Sequence, residues 1–202
     1  MKPILFVDFD GTLCHDRFWR SIDANNFEKI QNFLFGKNKL VVNEWMRGTH
    51  SSEHINRLIS KELGIPFKKL WNIFITDCKN MNILPDVLIQ IKKQKENFHV
   101  ILITDNMDCF TRFTVPALKL NSYFDSIINS SDSKRFKDDN KGEIFVQIAN
   151  RRGSKIEEGI LIDNSKSACV IFSKLGGTAH LVTSEKPLLF WLESLENRLT
   201  RT

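Results

Sequence analysis

Asp8 and Asp10 stand one residue apart, directly after the apolar run Ile4-Leu5-Phe6-Val7. At the end of an extended segment, positions two apart face the same way, so both carboxylates can approach one point. Two carboxylates held that close repel, a cost relieved when a cation lies between them or one takes up a proton. Magnesium is the natural cation, a hard ion that binds oxygen, keeps part of its water shell and accompanies phosphates. Gly11 follows at once and permits a sharp turn and close approach of the backbone to a substrate. The chemistry within reach is a metal-assisted reaction of an anionic group at the end of a buried strand.

Carboxylates placed that way need a rigid edge, and the rest of the chain supplies one. Short, continuous apolar runs at Pro3–Val7, Val100–Thr104, Ser126–Asn129, Gly159–Ile162 and His180–Val182 read as strands buried on both faces of a parallel sheet. Between them, Pro85–Glu96, Lys141–Arg151 and Ser165–Leu175 carry apolar residues at helical spacing, among them Val87, Leu88 and Ile91, then Ile144, Phe145 and Ile148. Gly176 and Gly177 close the third of these helices. The alternation predicts a doubly wound α/β sheet, whose ligands bind at the carboxyl ends of the strands.

One interval breaks the pattern. From Cys14 to Met81 no strand is legible, but Phe27–Phe35 and Val41–Trp45 are apolar and periodic. Ser51 or Ser52 can cap a helix that Gly64 stops after Leu63, and Pro66 suits the start of another through Leu70, Ile73 and Phe74. The spacing thus predicts a helical cap over residues 14–82, inserted after the first strand into a core of residues 1–13 and 83–202. A last apolar helix is expected over Lys186–Leu199.

Composition narrows the setting. In 202 residues, 42% hydrophobic and 26% charged, the balance is that of a soluble globular protein rather than a disordered one. No apolar run approaches the roughly 20 residues of a membrane span. Ile4–Val7 is too short for a signal-peptide core, so a cytoplasmic protein without a membrane partner is expected. Cys14, Cys78, Cys109 and Cys169 follow no pairing or zinc pattern, which suits a reducing compartment. The net charge is +5, with basic residues gathered at Lys92–Lys95, Lys134–Lys141, Arg151–Lys155 and Arg198–Arg201. No aromatic residues interleave with these groups as a stacking platform would require. Small phosphorylated substrates are therefore expected rather than nucleic acid, with a monomer or weak dimer as the assembly.

The segment Asp8-Phe9-Asp10-Gly11-Thr12-Leu13 resembles the first motif of the haloacid dehalogenase superfamily, in its phosphatase branch. The resemblance extends over residues 1–13 and about 83–183. It implies that Asp8 attacks phosphorus to form an aspartyl-phosphate, and that Asp10 serves as general acid and then general base. The branch that cleaves carbon–halogen bonds lacks the second aspartate. Ile101-Leu102-Ile103-Thr104 looks like the second motif, where Thr104 would hydrogen-bond the transferring phosphoryl group. Relatives often continue with Asn, whereas this chain has Asp105 and then Asn106. These two, with Gly11 and Thr12, are the implied substrate contacts. For the lysine of the third motif, Lys141, which precedes Gly142 and opens a helix, is the first candidate and Lys137 the second.

Gly159-Ile160-Leu161-Ile162-Asp163-Asn164-Ser165 is similar to the fourth motif, a strand followed by Asp-Asp-Ser, with Asn164 standing where relatives carry a metal-binding aspartate. The implied magnesium ligands are Asp8, Asp10, Asp163 and Asn164. Arg17 and Arg20, at the hinge into the cap, suit anionic oxygens. The function implied is hydrolysis of a small phosphomonoester. The alternatives are a phosphotransferase or phosphomutase of the same fold, and a catalytically weak or inactive magnesium- or phosphate-binding module, which Asn164 and the basic balance would favour.

Overall fold

A computed structural model describes residues 2–199, with side chains described as far as Glu196. The basic group at Arg198–Arg201 lies outside the described side chains. The elements are β1 (Ile4–Val7), α1 (Ala24–Gln31), α2 (Lys39–Met46), α3 (Ser52–Leu63), α4 (Phe67–Lys79), α5 (Pro85–Gln94), β2 (His99–Thr104), α6 (Val115–Ala117), β3 (Ser126–Asn129), α7 (Ser130–Ser133), α8 (Glu143–Arg151), β4 (Ile160–Asp163), α9 (Lys166–Lys174), β5 (Thr178–Leu181) and α10 (Leu188–Leu199).

All five strands run parallel in one sheet, in the order β3-β2-β1-β4-β5. Chain order reverses at β1, which pairs with β2 on one side, Val7 opposite Leu102, and with β4 on the other, Val7 opposite Ile162. Every residue of β1 is buried, because helices cover both faces. Leu5, Val7, Val100 and Leu102 pack on one face with Val87 and Ile91 of α5 and Leu188, Leu192 and Leu195 of α10. Ile4, Phe6, Ile101 and Ile103 face Phe145 and Ile148 of α8 and Phe172 of α9. There the Phe6 ring meets Phe145 and Phe172 edge-on at 5.2 and 5.6 Å, the arrangement the ring quadrupole prefers.

Residues 24–79 hold helices α1 to α4 and no strand. Ser51 Oγ accepts the His54 N–H at 3.3 Å to start α3, and Gly64 ends it at φ 67°, where a side chain would be strained. Between α1 and α2 the chain makes a π-helical turn, Asn32–Lys37. The insertion has its own apolar cluster around Trp19, Trp45, Ile55, Leu70 and Phe74, and Met107 and Cys109 from beyond β2 belong to it. A polar seam runs alongside. Asp108 accepts hydrogen bonds from Trp45 Nε1 at 2.8 Å and Ser52 Oγ at 2.5 Å, and Thr114 Oγ1 donates to the Cys78 carbonyl at 2.8 Å.

Several boundaries shift by one or two residues from the spacing-based reading, two of them for a visible reason. Helix α8 starts at Glu143 because Asn140 and Lys141 adopt left-handed backbone angles, φ 49° and 59°. Strand β5 starts at Thr178, two residues earlier than its apolar run suggests, because Thr178 and Ala179 pair with Ile160 and Leu161. All four cysteines are free thiols. No helix among the described residues is long and apolar enough to cross a membrane.

Candidate active site

Strands β1, β2 and β4 end side by side, and each ends in a polar residue. Asp8 follows β1, Thr104 closes β2 and Asp163 closes β4. The reversal of strand order at β1 leaves a crevice above these ends, since the connections leave it in opposite directions. Asp8 and Asp163 are 3% and 0% exposed, so their charges need partners. One buried ammonium serves both: Lys137 Nζ lies 2.8 Å from Asp8 Oδ1 and 2.6 Å from Asp163 Oδ2.

The loop after β3 delivers that lysine. Asp105 Oδ1 accepts the Lys137 backbone N–H at 3.0 Å, so the extra carboxylate after Thr104 anchors the lysine loop. On the outer side, the Arg47 guanidinium at the end of α2 grips both oxygens of Asp139 at 2.6 and 2.8 Å, and Lys134 Nζ donates to the Gly48 carbonyl at 3.0 Å. Lys137 is therefore held from the sheet, while its loop is clasped from the helical insertion. Lys141, the first sequence candidate, is exposed on a left-handed backbone and does not join the cluster. The structure places Lys137 there instead.

Charge at this edge is poorly balanced. Burial pushes the Asp105 pKa up to about 6, with Lys137 opposing. Burial and then the charge of Asp8 raise Asp163, again against Lys137. Burial also works against charge on Lys137, but Asp8, Asp163 and Asp105 outweigh it and hold its pKa above the usual lysine range. Enclosure by protein raises Asp10 as well; Arg17 opposes this and Asp8 reinforces it. A carboxyl group with a raised pKa, half exposed and beside a cavity, can carry a proton to or from a reacting oxygen.

The other sequence candidates divide clearly. Thr104 Oγ1 is buried and has no protein hydrogen-bond partner among the described residues, so its hydroxyl is free for an incoming oxygen. Thr12 Oγ1 is occupied: it accepts the Asn164 backbone N–H at 3.0 Å and ties the turn after β1 to the end of β4. Gly11, at φ 76°, sits against Asn164, whose Nδ2 would lie 2.2 Å from any Cβ placed there. Asn106 is buried, its N–H donating to Ser130 Oγ at 3.0 Å. Arg17 hydrogen-bonds the Asp10 carboxylate. Arg20 does not face the site. It donates to the backbone carbonyls of Asp77 at 2.9 Å and Asn80 at 2.7 Å, fastening the hinge to the end of α4. Trp19 is fully buried, with Nε1 3.0 Å from Asn56 Oδ1.

A cavity of about 490 Å³ opens between this edge and the insertion. It reaches the carboxylates of Asp10 and Asp105 and the amide of Asn106, and its far wall comes from the π-helical turn and α2.

The oxygen donors suit a hard divalent ion. Four carboxylates, of Asp8, Asp10, Asp105 and Asp163, face two cations, Lys137 and Arg17, and one divalent ion would make up the difference. Asp163 already has a protein donor on each oxygen, Lys137 on Oδ2 and the Ser165 N–H on Oδ1 at 2.7 Å. Open donors are the remaining lone pairs of Asp8, Asp10 and the exposed amide of Asn164, whose Oδ1 has only a long 3.5 Å contact with Thr12. Among the described residues no three His, Cys, Asp or Glu side chains form a ready-made cage. An ion here would keep much of its water, as magnesium does.

No protein-family model and no curated protein matches the sequence. Solved structures do match. A haloacid dehalogenase family enzyme from Bacteroides thetaiotaomicron, in complex with magnesium and inorganic phosphate, aligns at a TM-score of 0.73 and 20% identity, over 91% of this chain and 96% of its own. A haloacid dehalogenase-like family hydrolase from Porphyromonas gingivalis aligns at 0.72 and 18% identity, over 100% and 99%. A 2-haloacid dehalogenase from Pseudomonas syringae aligns at 0.63 and 14% identity, over 98% and 100%. With its parallel sheet, strand order and carboxyl-edge aspartates described, the chain has the haloacid dehalogenase fold.

Proposed function

We propose that this protein is a magnesium-dependent phosphomonoester hydrolase that works through an aspartyl-phosphate on Asp8. The observation that carries this reading is the buried Lys137 ammonium bridging Asp8 and Asp163 beside the unpartnered Thr104 hydroxyl. Lys137 holds Asp8 Oδ1 and leaves Oδ2 without a protein donor among the described residues, oriented as a nucleophile. Oδ2 forms a bond to phosphorus as the ester P–O bond breaks, and Asp10 gives its proton to the departing alkoxide. Asp10 then takes a proton from water, whose oxygen attacks the aspartyl-phosphate. Inorganic phosphate leaves and the Asp8 carboxylate is restored. Thr104 donates to a phosphoryl oxygen throughout, and Arg17 steadies Asp10 between its two proton transfers. Asp8 through Oδ1, Asp10 and Asn164 would hold magnesium, which would supply charge neutralisation at the phosphoryl group while Oδ2 stays free to attack.

Two points favour phosphoryl transfer over carbon–halogen cleavage. Asp10 supplies an acid that an oxygen leaving group requires and a departing halide does not. The magnesium and phosphate of the Bacteroides complex also suit this chain's oxygen-rich edge. The test is release of inorganic phosphate from p-nitrophenyl phosphate and a panel of phosphorylated metabolites, with and without magnesium. Turnover should depend on magnesium and fall by at least about a thousandfold in Asp8→Asn, as loss of a nucleophile does. Folded wild-type protein that releases no phosphate at millimolar magnesium would overturn the reading.

A further inference from the structure

The cavity above the carboxylates has a mixed lining. All of its acidic residues, Asp10, Asp16 and Asp105, come from the sheet edge and the hinge, where the phosphate would sit. Much of the remaining lining is soft and aromatic, with Gln31, Lys39 and Asn43 as polar side chains beside it. Three of the protein's four methionines, Met46, Met81 and Met107, line it together with Phe9, Phe18 and Phe35. Methionines are unbranched and polarisable, fill irregular gaps and contact aromatic rings favourably. Phe35 is one of the few large apolar side chains left exposed, at 37%, and it stands in the π-helical turn Asn32–Lys37. Such turns are frequent at functional sites. A sugar or polyol would find only Gln31, Lys39 and Asn43 as polar partners along this wall, whereas a flat apolar body would pack against Phe35, Val42 and Met46.

We infer that the cavity selects phosphate monoesters of alcohols carrying a flat, apolar aromatic body, with the ring system lodged between the π-helical turn, α2 and Met107. This inference rests on the phosphohydrolase reading and names its substrate class. The decisive comparison is 2-naphthylmethyl phosphate against glycerol 3-phosphate. Both are alkyl phosphates, so leaving-group acidity does not favour the aromatic ester. kcat/KM should favour the naphthylmethyl ester by at least about tenfold, the lower range of what one apolar pocket contributes. In Phe35→Ala and Met46→Ala that ratio should fall severalfold through KM, while Val170→Ala, an exposed apolar residue on α9, should leave it alone. Equal or better use of glycerol phosphate would overturn the substrate class and leave the hydrolase reading standing. If neither ester is hydrolysed, the hydrolase reading fails, and calorimetry decides the cavity's preference. Binding of 2-naphthylmethylphosphonate at least about tenfold tighter than methylphosphonate would uphold it, and equal affinity would sink it.

Discussion

Replacing Lys137 with methionine keeps most of the side-chain volume and removes the ammonium shared by Asp8 and Asp163. Both carboxylates are almost inaccessible to water, so neither gains solvent in exchange. Removing one partner of a buried ion pair costs on the order of 3–5 kcal/mol, out of the roughly 5–15 kcal/mol that holds a typical domain together. The cost falls on ionised carboxylates and is relieved by a proton. Without the ammonium, burial and the charge of Asp8 raise the proton affinity of Asp163 further, so the folded variant keeps a proton that the unfolded chain has released. Where the folded state binds more protons, stability falls as pH rises and returns as pH is lowered. One such proton between pH 7.5 and 6.0 is worth about 2 kcal/mol. Wild type, whose Asp105 and Asp163 are also raised, should gain under about 1 kcal/mol over that range. Urea unfolding followed by circular dichroism at the two pH values, without magnesium, measures both. A variant as stable as wild type at pH 7.5, or one whose deficit is the same at both pH values, would refute the reasoning.

Two further outcomes test the same edge. Asp105→Ala removes the acceptor for the Lys137 backbone N–H, whereas Asp105→Asn keeps an oxygen there. The alanine variant should lose about 1–2 kcal/mol of stability and most phosphate release, with the asparagine variant retaining more of both, read by thermal melts and turnover. Asn164→Asp restores a charged oxygen donor where the chain now offers an amide. It should tighten magnesium at least about tenfold, seen as a larger melting-temperature rise per increment of magnesium at pH 7.5, and unchanged binding would exclude Asn164 as a ligand.

The parts of this architecture legible in the sequence are those that local rules govern. Buried parallel strands read as unbroken apolar runs, so Ile4–Val7, Ile101–Thr104 and Ile160–Asp163 and the polar residues that close them stand out. Ser51 and Gly64 bracket α3 for the same reason, since capping is set within a few residues. The choice between the two candidate lysines was not legible. Lys141 has the better local pattern, next to a glycine at a helix start, but the backbone turns left-handed through Asn140, Lys141 and Gly142 and points the chain elsewhere. Lys137 is placed by a contact with Asp105, 32 residues away, and the only sequence signal was that unexplained carboxylate after Thr104. Arg20 is likewise placed by distant groups, the backbone carbonyls 57 and 60 residues away, besides its pairing with Asp16 four residues before it.

Helices α1 to α4 occupy one continuous stretch of chain between β1 and α5, but their cohesion does not stop at those limits. Met107 and Cys109 lie in the same apolar cluster as Trp19, Trp45 and Phe74, and Asp108 accepts hydrogen bonds from both Trp45 and Ser52. The stretch just beyond Thr104 therefore belongs, energetically, to the insertion as much as to the sheet. Melting the insertion alone would strip that stretch of its packing and disturb the backbone one step from Thr104 and Asp105. The unit of sequence and the unit of cooperativity differ, so the integrity of the helical layer is already written into the catalytic edge before any substrate arrives.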